Sequence, residues 1–247
     1  NLPLLYANIE DHINIILEEK VKIVFTSAGS PKKYTPILKD NGIKVVHVVA
    51  NQKFALKCLD AGVDAIVAEG FEAGGHNGIE EITTMCLIPQ IKSIIDIPLI
   101  AAGGIGSGQS ILAAMSLGAD GVQIGSLFAA SKESSAHEKF KNLIVESTDG
   151  DTTLTLKEIT PVRMMKNDFY KKIENAYKNN ASKEELVKLL SRGRAKKGIF
   201  EGDLVEGELE IGQISASISE VKSVNEIFSE LIDGFNSQKN NLSHISF

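Results

Sequence analysis

Apolar residues in the first half of the chain occur in short continuous runs that are rich in β-branched side chains. Turn-forming residues bound each run, and segments of mixed polarity lie between the runs. Continuous apolarity is typical of strands covered on both faces, as the strands of parallel sheets are. The pattern therefore predicts six parallel strands, at residues 1–5, 21–28, 43–50, 65–69, 98–103 and 121–128.

The segments between these strands carry the signals that begin and end helices. Ser30 followed by Pro31 predicts a helix start, because serine caps helix N-termini and proline fits the first helical position. Gly42 predicts the end of that helix, and Gly62 ends a second helical pattern at residues 53–61. Strands and helices thus alternate, as they do in folds built from βα units.

Two near copies of one phrase, AGVDAI at residues 61–66 and LGADGV at residues 117–122, indicate a recurring βα unit with right-handed crossovers. A doubly wound open sheet and a (β/α)8 TIM barrel both fit this α/β pattern. The glycine clusters follow late strands, and no G-x-G-x-x-G follows the first strand, which favours the barrel. Six strands are found where a barrel needs eight, and the chain begins at Asn1, so we expect a TIM barrel that lacks its first two strands.

The pattern changes in the second half of the chain. Beyond Ser131 it becomes helical, and capping boxes at residues 182–185 and 223–226 predict helix starts. The glycine-rich, acidic segment 198–212 is interpreted as a solvated connection, with a lid or a subunit contact as the alternatives. We therefore expect a barrel portion at residues 1–133 and a C-terminal helical appendage at residues 134–247 that completes and covers it.

Composition narrows the class of protein. A chain of 247 residues with 43% hydrophobic residues can bury a full core. A net charge of −6 without a basic stripe argues against a nucleic-acid partner. Two cysteines are too few for a disulfide framework, and no spacing of histidine and cysteine suggests a metal site. No apolar run has the length of a membrane span and no signal peptide is visible, so we expect a soluble, cytoplasmic protein.

The segment AEGFEAGGHNG at residues 68–78 carries the strongest candidate chemistry. It follows a predicted strand and brings Glu72, two adjacent glycines and His76 close together in the sequence. Adjacent glycines let a backbone approach a ligand closely, and histidine exchanges protons near neutral pH. Loops at the carboxyl ends of parallel strands are where α/β proteins keep their sites. His76 is therefore the candidate catalytic residue.

Two further glycine clusters, AAGGI at residues 101–105 and QIGS at residues 123–126, follow the last two predicted strands. Exposed backbone N–H groups attract phosphate, and a serine hydroxyl adds a donor. Either cluster alone is equally consistent with turn glycines. Together, on successive strands, they indicate a phosphorylated ligand. The predicted phosphate cradle consists of Gly103, Gly104, Gly125 and Ser126.

Three motifs together, AEGFEAGGHNG, IPLIAAGGI and DGVQIGSLF, resemble those of the nitronate monooxygenase (2-nitropropane dioxygenase) family, which also includes the flavin-dependent enoyl-acyl-carrier-protein reductase II. The resemblance covers essentially the whole chain. It implies an FMN-binding TIM barrel with a helical second domain, so that residues 1–133 would be the flavin-binding portion. The family's first strand ends in a Gln-Gly-Gly-Met-like segment beside the flavin, and this segment has no counterpart here.

The resemblance also implies roles for individual residues. His76 matches the active-site histidine of the family. The residues expected to contact FMN are Asn1, Gly75, Ala102, Gly103, Gly104, Gln123, Gly125 and Ser126.

The reaction that follows from the resemblance has two main alternatives. The first is the oxidation of alkyl nitronates with O₂ to carbonyl compounds and nitrite. The second is the NAD(P)H-dependent reduction of an enoyl thioester in fatty-acid synthesis, with an acyl carrier protein as a partner that the basic segment 192–197 would suit. A non-catalytic phosphate-binding fragment is a third alternative. We also expect a small-molecule substrate, no membrane partner and a homodimer.

Overall fold

The structure, a computed structural model, describes residues 1–244. Its strands are β1 (Leu2–Pro3), β2 (Ile23–Ser27), β3 (Lys44–Val49), β4 (Ala65–Glu69), β5 (Gly75–His76), β6 (Leu99–Ala102), β7 (Gly121–Gln123), β8 (Thr152–Thr155) and β9 (Val162–Met165). Its α-helices are α1 (Ile9–Glu18), α2 (Tyr34–Asp40), α3 (Gln52–Ala61), α4 (Thr84–Lys92), α5 (Gly108–Ser116), α6 (Ser126–Ala129), α7 (Glu138–Val145), α8 (Asp168–Lys178), α9 (Lys183–Leu190), α10 (Arg194–Ile199) and α11 (Val224–Ser243), and a 3-10 helix spans Gln213–Ser217.

Contacts between residues divide the chain into two compact units. Unit 1 comprises Asn1–Gly70, Ile82–Ala102 and Ala114–Gln123. Unit 2 comprises Phe71–Glu81, Gly103–Ala113 and the chain from Ile124 onwards.

Unit 1 contains a sheet of six parallel strands in the order β1-β2-β3-β4-β6-β7. A doubly wound sheet reverses its direction partway, so its strand order departs from the order along the chain. Here the order of the strands in the sheet follows their order along the chain, as it does in a TIM barrel. The parallel sheet with its helices confirms the α/β prediction. All six predicted strands are present. Among the described residues β1 and β7 are the edges of this sheet, so the observed sheet is six-stranded and open.

The repeated phrase before β4 and β7 has a structural explanation. The backbone N–H of Asp64 donates to the carbonyl of Val45 at 2.8 Å, and its carboxylate accepts from the N–H of Val45 at 2.9 Å. Asp120 makes the same two bonds to Leu99, at 2.7 Å and 2.9 Å. Each aspartate thereby extends the hydrogen-bond ladder at the start of a strand. The repeat therefore has a structural role in the sheet.

Most predicted helix boundaries are confirmed, with one exception. Gly62 ends α3 in the left-handed conformation at φ 76°. Ser182 and Ser223 both form capping boxes, at the starts of α9 and α11. The predicted start at Ser30 and Pro31 is wrong, because Ser30 lies in no regular element, Pro31 lies in a turn, and the regular helix begins only at Tyr34. None of the helices within residues 1–244 is both long and apolar enough to cross a membrane.

The sixth predicted strand is shorter than expected. β7 ends at Gln123, and Ser126 begins the helix α6 instead of continuing the strand. The carbonyl of Gly125 accepts from the N–H of Ala129 at 2.9 Å, which closes a helical turn. The apolar run at residues 121–128 therefore combines a strand and a helix, which periodicity cannot separate in so short a segment.

Unit 2 contains an antiparallel sheet in the order β5-β9-β8. The expectation that the chain is purely helical beyond residue 131 is therefore wrong. β8 and β9 have four residues each, too few to show the alternation that identifies a strand in a sequence. The helices of this unit pack in two clusters, one around Phe140 and Ile144 and the other around Phe169 and Ile173.

Candidate active site

Unit 1 has a cavity on its six-stranded sheet. Its volume is about 270 Å³, and it is lined by Asn1, Phe25, Ile100, Val122 and Gln123. Sites for small molecules are mostly apolar with a few polar groups that fix orientation, and here three apolar side chains accompany two amides. The structure therefore brings together Asn1 and Gln123, two of the residues predicted to contact FMN.

Ala102, the third predicted FMN contact in unit 1, is buried at the end of β6. Its carbonyl accepts from the N–H of Gly70 at 2.9 Å and from the hydroxyl of Thr84 at 3.2 Å. Glu69 lies opposite Ala102 on β4, and burial raises the pKa of its carboxyl to about 7. This end of the sheet thus places a carboxyl with a raised pKa opposite a residue whose backbone carbonyl already accepts two hydrogen bonds.

The loop that carries His76 is held by side chains of unit 2. Nε and Nη2 of Arg163 both donate to the carbonyl of Phe71, at 3.0 Å and 2.9 Å, and the guanidinium lies 5.1 Å from the centre of the Phe71 ring. Nδ2 of Asn77 donates to the carbonyls of Ala73 and Gly75, at 2.9 Å and 3.0 Å. The loop is therefore held at Phe71, at Ala73 and at Gly75.

The same loop packs against a second backbone segment, residues 210–213. A Cβ atom on Gly74 would lie 2.5 Å from the nitrogen of Gly212 and 2.6 Å from the Cα of Ile211. The N–H of Gln213 donates to the carbonyl of Glu72 at 2.9 Å. Only glycine allows two backbones to approach so closely. The sequence suggested that the adjacent glycines let a ligand approach. Gly74 instead lets a second backbone segment pack against the loop.

Glu210, from this second segment, lies next to His76. Its Oε1 is 3.9 Å from Nδ1 of His76, whose side chain is 61% exposed. Gly75 has φ 77°, and a Cβ atom on it would lie 3.0 Å from Oε2 of Glu210. Burial raises the pKa of Glu210, and a positive charge on His76 would lower it. The loop thus presents an exposed imidazole backed by a carboxylate.

The predicted phosphate cradle also belongs to unit 2. Gly103 and Gly104 have φ 94° and 69°, which strongly favours glycine at both positions. A Cβ atom on Gly104 would lie 3.3 Å from the Cβ of Glu72, so this glycine contacts the histidine loop. The hydroxyl oxygen of Ser126 accepts from the N–H of Gly212 at 3.0 Å. The structure therefore connects both Gly104 and Ser126 to the two segments around His76.

The residues present are chemically suited to FMN. The cavity of unit 1 offers apolar walls and two amides for a flat ring with polar edges. In unit 2 a Cβ atom on Gly125 would meet no atom within 4 Å, so there is open space at this position. The hydroxyl hydrogen of Ser126 remains able to donate because its oxygen serves as an acceptor. The groups named in each unit are neutral and leave room for a ligand.

Glu208, two residues before Glu210, is buried, and its Oε1 has no hydrogen-bond partner among the described residues. Burial and the nearby Glu210 raise the pKa of its carboxyl to about 7, while Arg194 opposes this shift. The carboxyl thus binds its proton more tightly in the folded than in the unfolded chain. It stabilises the fold below the unfolded pKa, and this contribution is lost as the pH rises through 7.

We therefore expect Glu208→Gln to remove a pH-dependent part of the stability. Between about pH 5 and about pH 8 the wild-type free energy of unfolding should fall by roughly 2 kcal/mol more than that of the variant. Urea unfolding at both pH values measures this difference. Glu220→Gln, at an exposed carboxylate, is the control and should keep the wild-type pH dependence. Equal pH dependence in wild type and Glu208→Gln would contradict the prediction.

Among the cations of the basic segment 192–197, Arg194 is largely covered. Arg194 lies 4.2 Å from the centre of the Phe169 ring and donates to the carbonyls of Leu189 and Glu206, at 2.9 Å and 2.8 Å. Its side chain is therefore committed to the interior of unit 2. Arg192 remains exposed.

Two residues of this site were missed by the sequence reasoning. Arg163 and Glu210 lie far from His76 in the sequence, and the segment that contains Glu210 was interpreted as solvated. Leu209 and Ile211 are in fact buried and alternate with glutamates. This alternation at residues 208–211 was the available indication of an extended, packed segment.

Comparisons with known proteins agree with the predicted family. A family model described as nitronate monooxygenase matches residues 4–234. A probable nitronate monooxygenase of Staphylococcus saprophyticus is 36% identical over 206 residues, which are 76% of this chain and 57% of the relative. One from Staphylococcus aureus is 38% identical over 153 residues, which are 58% of this chain and 43% of the relative. The chain thus spans about half the length of the curated relatives it matches.

Solved structures are similar over almost the whole chain. FabK from Thermotoga maritima has a TM-score of 0.90 at 38% identity, covering 98% of this chain and 77% of its own. Nitroalkane oxidase from Streptomyces ansochromogenes has a TM-score of 0.78 at 26% identity, covering 94% of this chain and 69% of its own. Both neighbours are TIM barrels, in agreement with the winding of the six-stranded sheet.

Proposed function

Since the chain belongs to the nitronate monooxygenase family, we propose that it is an FMN-dependent oxidoreductase that oxidises alkyl nitronates with O₂ to carbonyl compounds and nitrite. The observation that carries this proposal is the exposed imidazole of His76, which is held on a short strand with the carboxylate of Glu210 behind it. Acid–base catalysis needs a side chain of this kind in a fixed position within reach of the reactant.

The proposal assigns the FMN contacts to the residues that the family resemblance names. When bound, FMN supplies the capacity to take electrons from the substrate and transfer them to O₂. The amides of Asn1 and Gln123 would hydrogen-bond to polar edges of the ring, and the hydroxyl of Ser126 would donate to the phosphate. The remaining contacts would come from Gly75, Ala102, Gly103, Gly104 and Gly125, where small or absent side chains leave room for the cofactor.

His76 would act on the substrate through Nε2, because Nδ1 faces Glu210. In this role it donates a hydrogen bond to the nitronate, or moves a proton to or from it, while the backbone pairing of β5 with β9 keeps the ring in place. A protonated imidazole would also attract the negative charge of a nitronate.

Enoyl-thioester reduction is the second candidate function. It is supported by FabK, an enoyl-acyl-carrier-protein reductase, which is the more similar of the two solved structures. In this reaction NAD(P)H would supply a hydride for the β-carbon of the thioester, and His76 would supply the proton for the α-carbon. An acyl carrier protein would present the substrate. Arg194 is unsuited to bind that partner because it is committed to the interior.

One paired assay separates these functions. We would measure O₂ consumption with propyl-2-nitronate, and NAD(P)H oxidation with a crotonyl thioester, on the same preparation. Nitronate turnover without enoyl-dependent NAD(P)H oxidation supports the first function, and the converse supports the second. A purified protein that lacks a flavin absorbance band and does not bind added FMN would overturn both functions in favour of a non-catalytic phosphate-binding protein.

A substitution at Gly125 tests the phosphate cradle independently of turnover. We expect Gly125→Ala to retain the wild-type Tm, because the added Cβ meets no atom within 4 Å, while the affinity for FMN falls by about 10-fold as the methyl group occupies space needed by the phosphate. Fluorescence titration of the apoprotein with FMN measures this. Gly121→Ala, where a Cβ also meets no atom within 4 Å, is the matched control. Unchanged affinity in Gly125→Ala would remove this residue from the cradle.

A further inference from the structure

We infer that Glu210 is a positioning residue for His76, which holds the Nδ1 side of the imidazole so that Nε2 serves the reactant. The catalytic meaning of this inference rests on the proposed function, but the pairing itself is a property of the folded chain.

The two side chains meet in a defined orientation. Nδ1 of His76, and not Nε2, faces Glu210, with 3.9 Å between Nδ1 and Oε1. The side chain of His76 is mostly exposed, whereas that of Glu210 is mostly buried. Hydrogen bonds at catalytic groups are often long before a ligand binds and shorten in the complex. The geometry is therefore that of a buried carboxylate behind an accessible ring.

The backbone fixes both residues to the same strand. β5 pairs with β9 through Gly75 opposite Arg163 and His76 opposite Val162. The next residue of β9, Met164, forms a bridge with Glu210. Because β8 occupies the other edge of β9, both residues pair along one edge of this strand. Their separation is thus set by strand pairing and does not depend on flexible connections.

Gly75 makes the approach of the carboxylate possible. It has φ 77°, and a Cβ atom on it would lie 3.0 Å from Oε2 of Glu210. Any larger residue would push the carboxylate away from the ring in addition to straining the backbone. The glycine before the histidine, which the sequence reasoning assigned to FMN contact, therefore also serves the pair.

The charged groups near Glu210 define how the pair responds to protonation. His76 faces it from β5, and Glu208 lies on the same segment with Arg194 as its own cationic neighbour. When Nε2 of His76 takes a proton from a reactant, the Nδ1 proton stays on the ring and the positive charge forms beside the Glu210 carboxylate. When Nε2 gives that proton back to the reactant, the ring is neutral again. Glu210 therefore does not need to accept a proton.

The first test measures the position of the ring proton and needs neither flavin nor substrate. Long-range ¹H–¹⁵N spectra of the imidazoles, assigned with His76→Ala, identify the protonated nitrogen of the neutral ring near about pH 8. We expect the proton on Nδ1 in the wild type and on Nε2 in Glu210→Met, which keeps the length of the side chain without an acceptor. The same ratio of the two forms in both proteins would overturn the inference.

The second test measures turnover. We expect Glu210→Gln to lower kcat by about 10-fold with little change in KM, because the ring loses its orienting charge but the substrate keeps its contacts. Glu210→Asp should recover part of the loss and shift the pH profile of kcat back towards that of the wild type. Glu206→Gln is the matched control, since Glu206 contacts Lys172 and Arg194 instead of His76, and should keep the wild-type kcat. Full activity in Glu210→Gln would refute the positioning role.

The two tests separate the inference from the proposed function. If the ring proton moves in Glu210→Met but neither substrate is turned over, the pairing stands and the proposed reaction fails. If turnover is found but the ring proton does not move, the reaction stands and the inference fails.

Discussion

Replacing His76 by alanine should lower turnover by on the order of 10²-fold while the protein keeps its flavin, which is the usual range for the loss of one acid–base residue. The side chain is mostly exposed and does not belong to the buried core, so the change removes chemistry and leaves the core intact. The measurement is kcat with propyl-2-nitronate, together with the ratio of flavin absorbance to protein absorbance.

Two further variants make this result specific. His76→Asn keeps a hydrogen-bonding side chain without an imidazole, so it should be nearly as slow as His76→Ala if a proton is transferred. His244→Ala, at an exposed histidine after α11, should have the wild-type rate. A wild-type rate in His76→Ala would show that the histidine is structural and would remove the observation on which the proposed function rests.

The winding of the sheet was predictable because its causes are local. Runs of β-branched residues, the turn residues around them and the glycines that end helices are all visible within a few positions. The six strands and the end of α3 at Gly62 follow from these features. The phrase that precedes β4 and β7 was recognised as a repeat, but the function of its aspartates required knowledge of which strands are neighbours.

The candidate site was predictable only in part, because much of it is assembled by contacts between distant segments. His76 and the glycine pair form one motif, whereas Arg163 and Glu210 reach it through strand pairing that no local pattern encodes. The glycines had two possible purposes in the sequence, namely approach to a ligand and approach to another backbone. Gly74 has the second purpose in the structure, and Gly125 has open space beside it that suits the first.

The largest effect on stability is expected from Gly74→Ala. The φ angle of Gly74 is not in the left-handed region, so the cost arises from contact alone. The new methyl group would collide with the backbone at Ile211 and Gly212, and a backbone cannot rotate away as a side chain can. We expect a loss of about 3 kcal/mol in the free energy of unfolding, or a Tm lower by roughly 10 °C.

The same change should also reduce activity in the molecules that remain folded. Separating the two segments moves Glu210 away from His76 and weakens the bond from Gly212 to Ser126. Calorimetry measures the Tm, and kcat measured well below that Tm reports the effect on the site. Gly121→Ala adds the same methyl group where no atom lies within 4 Å and should change neither quantity. A Gly74→Ala protein with the Tm and kcat of the wild type would mean that these backbones are not in contact, and the support that they give to His76 would then have to come from Arg163 and Asn77 alone.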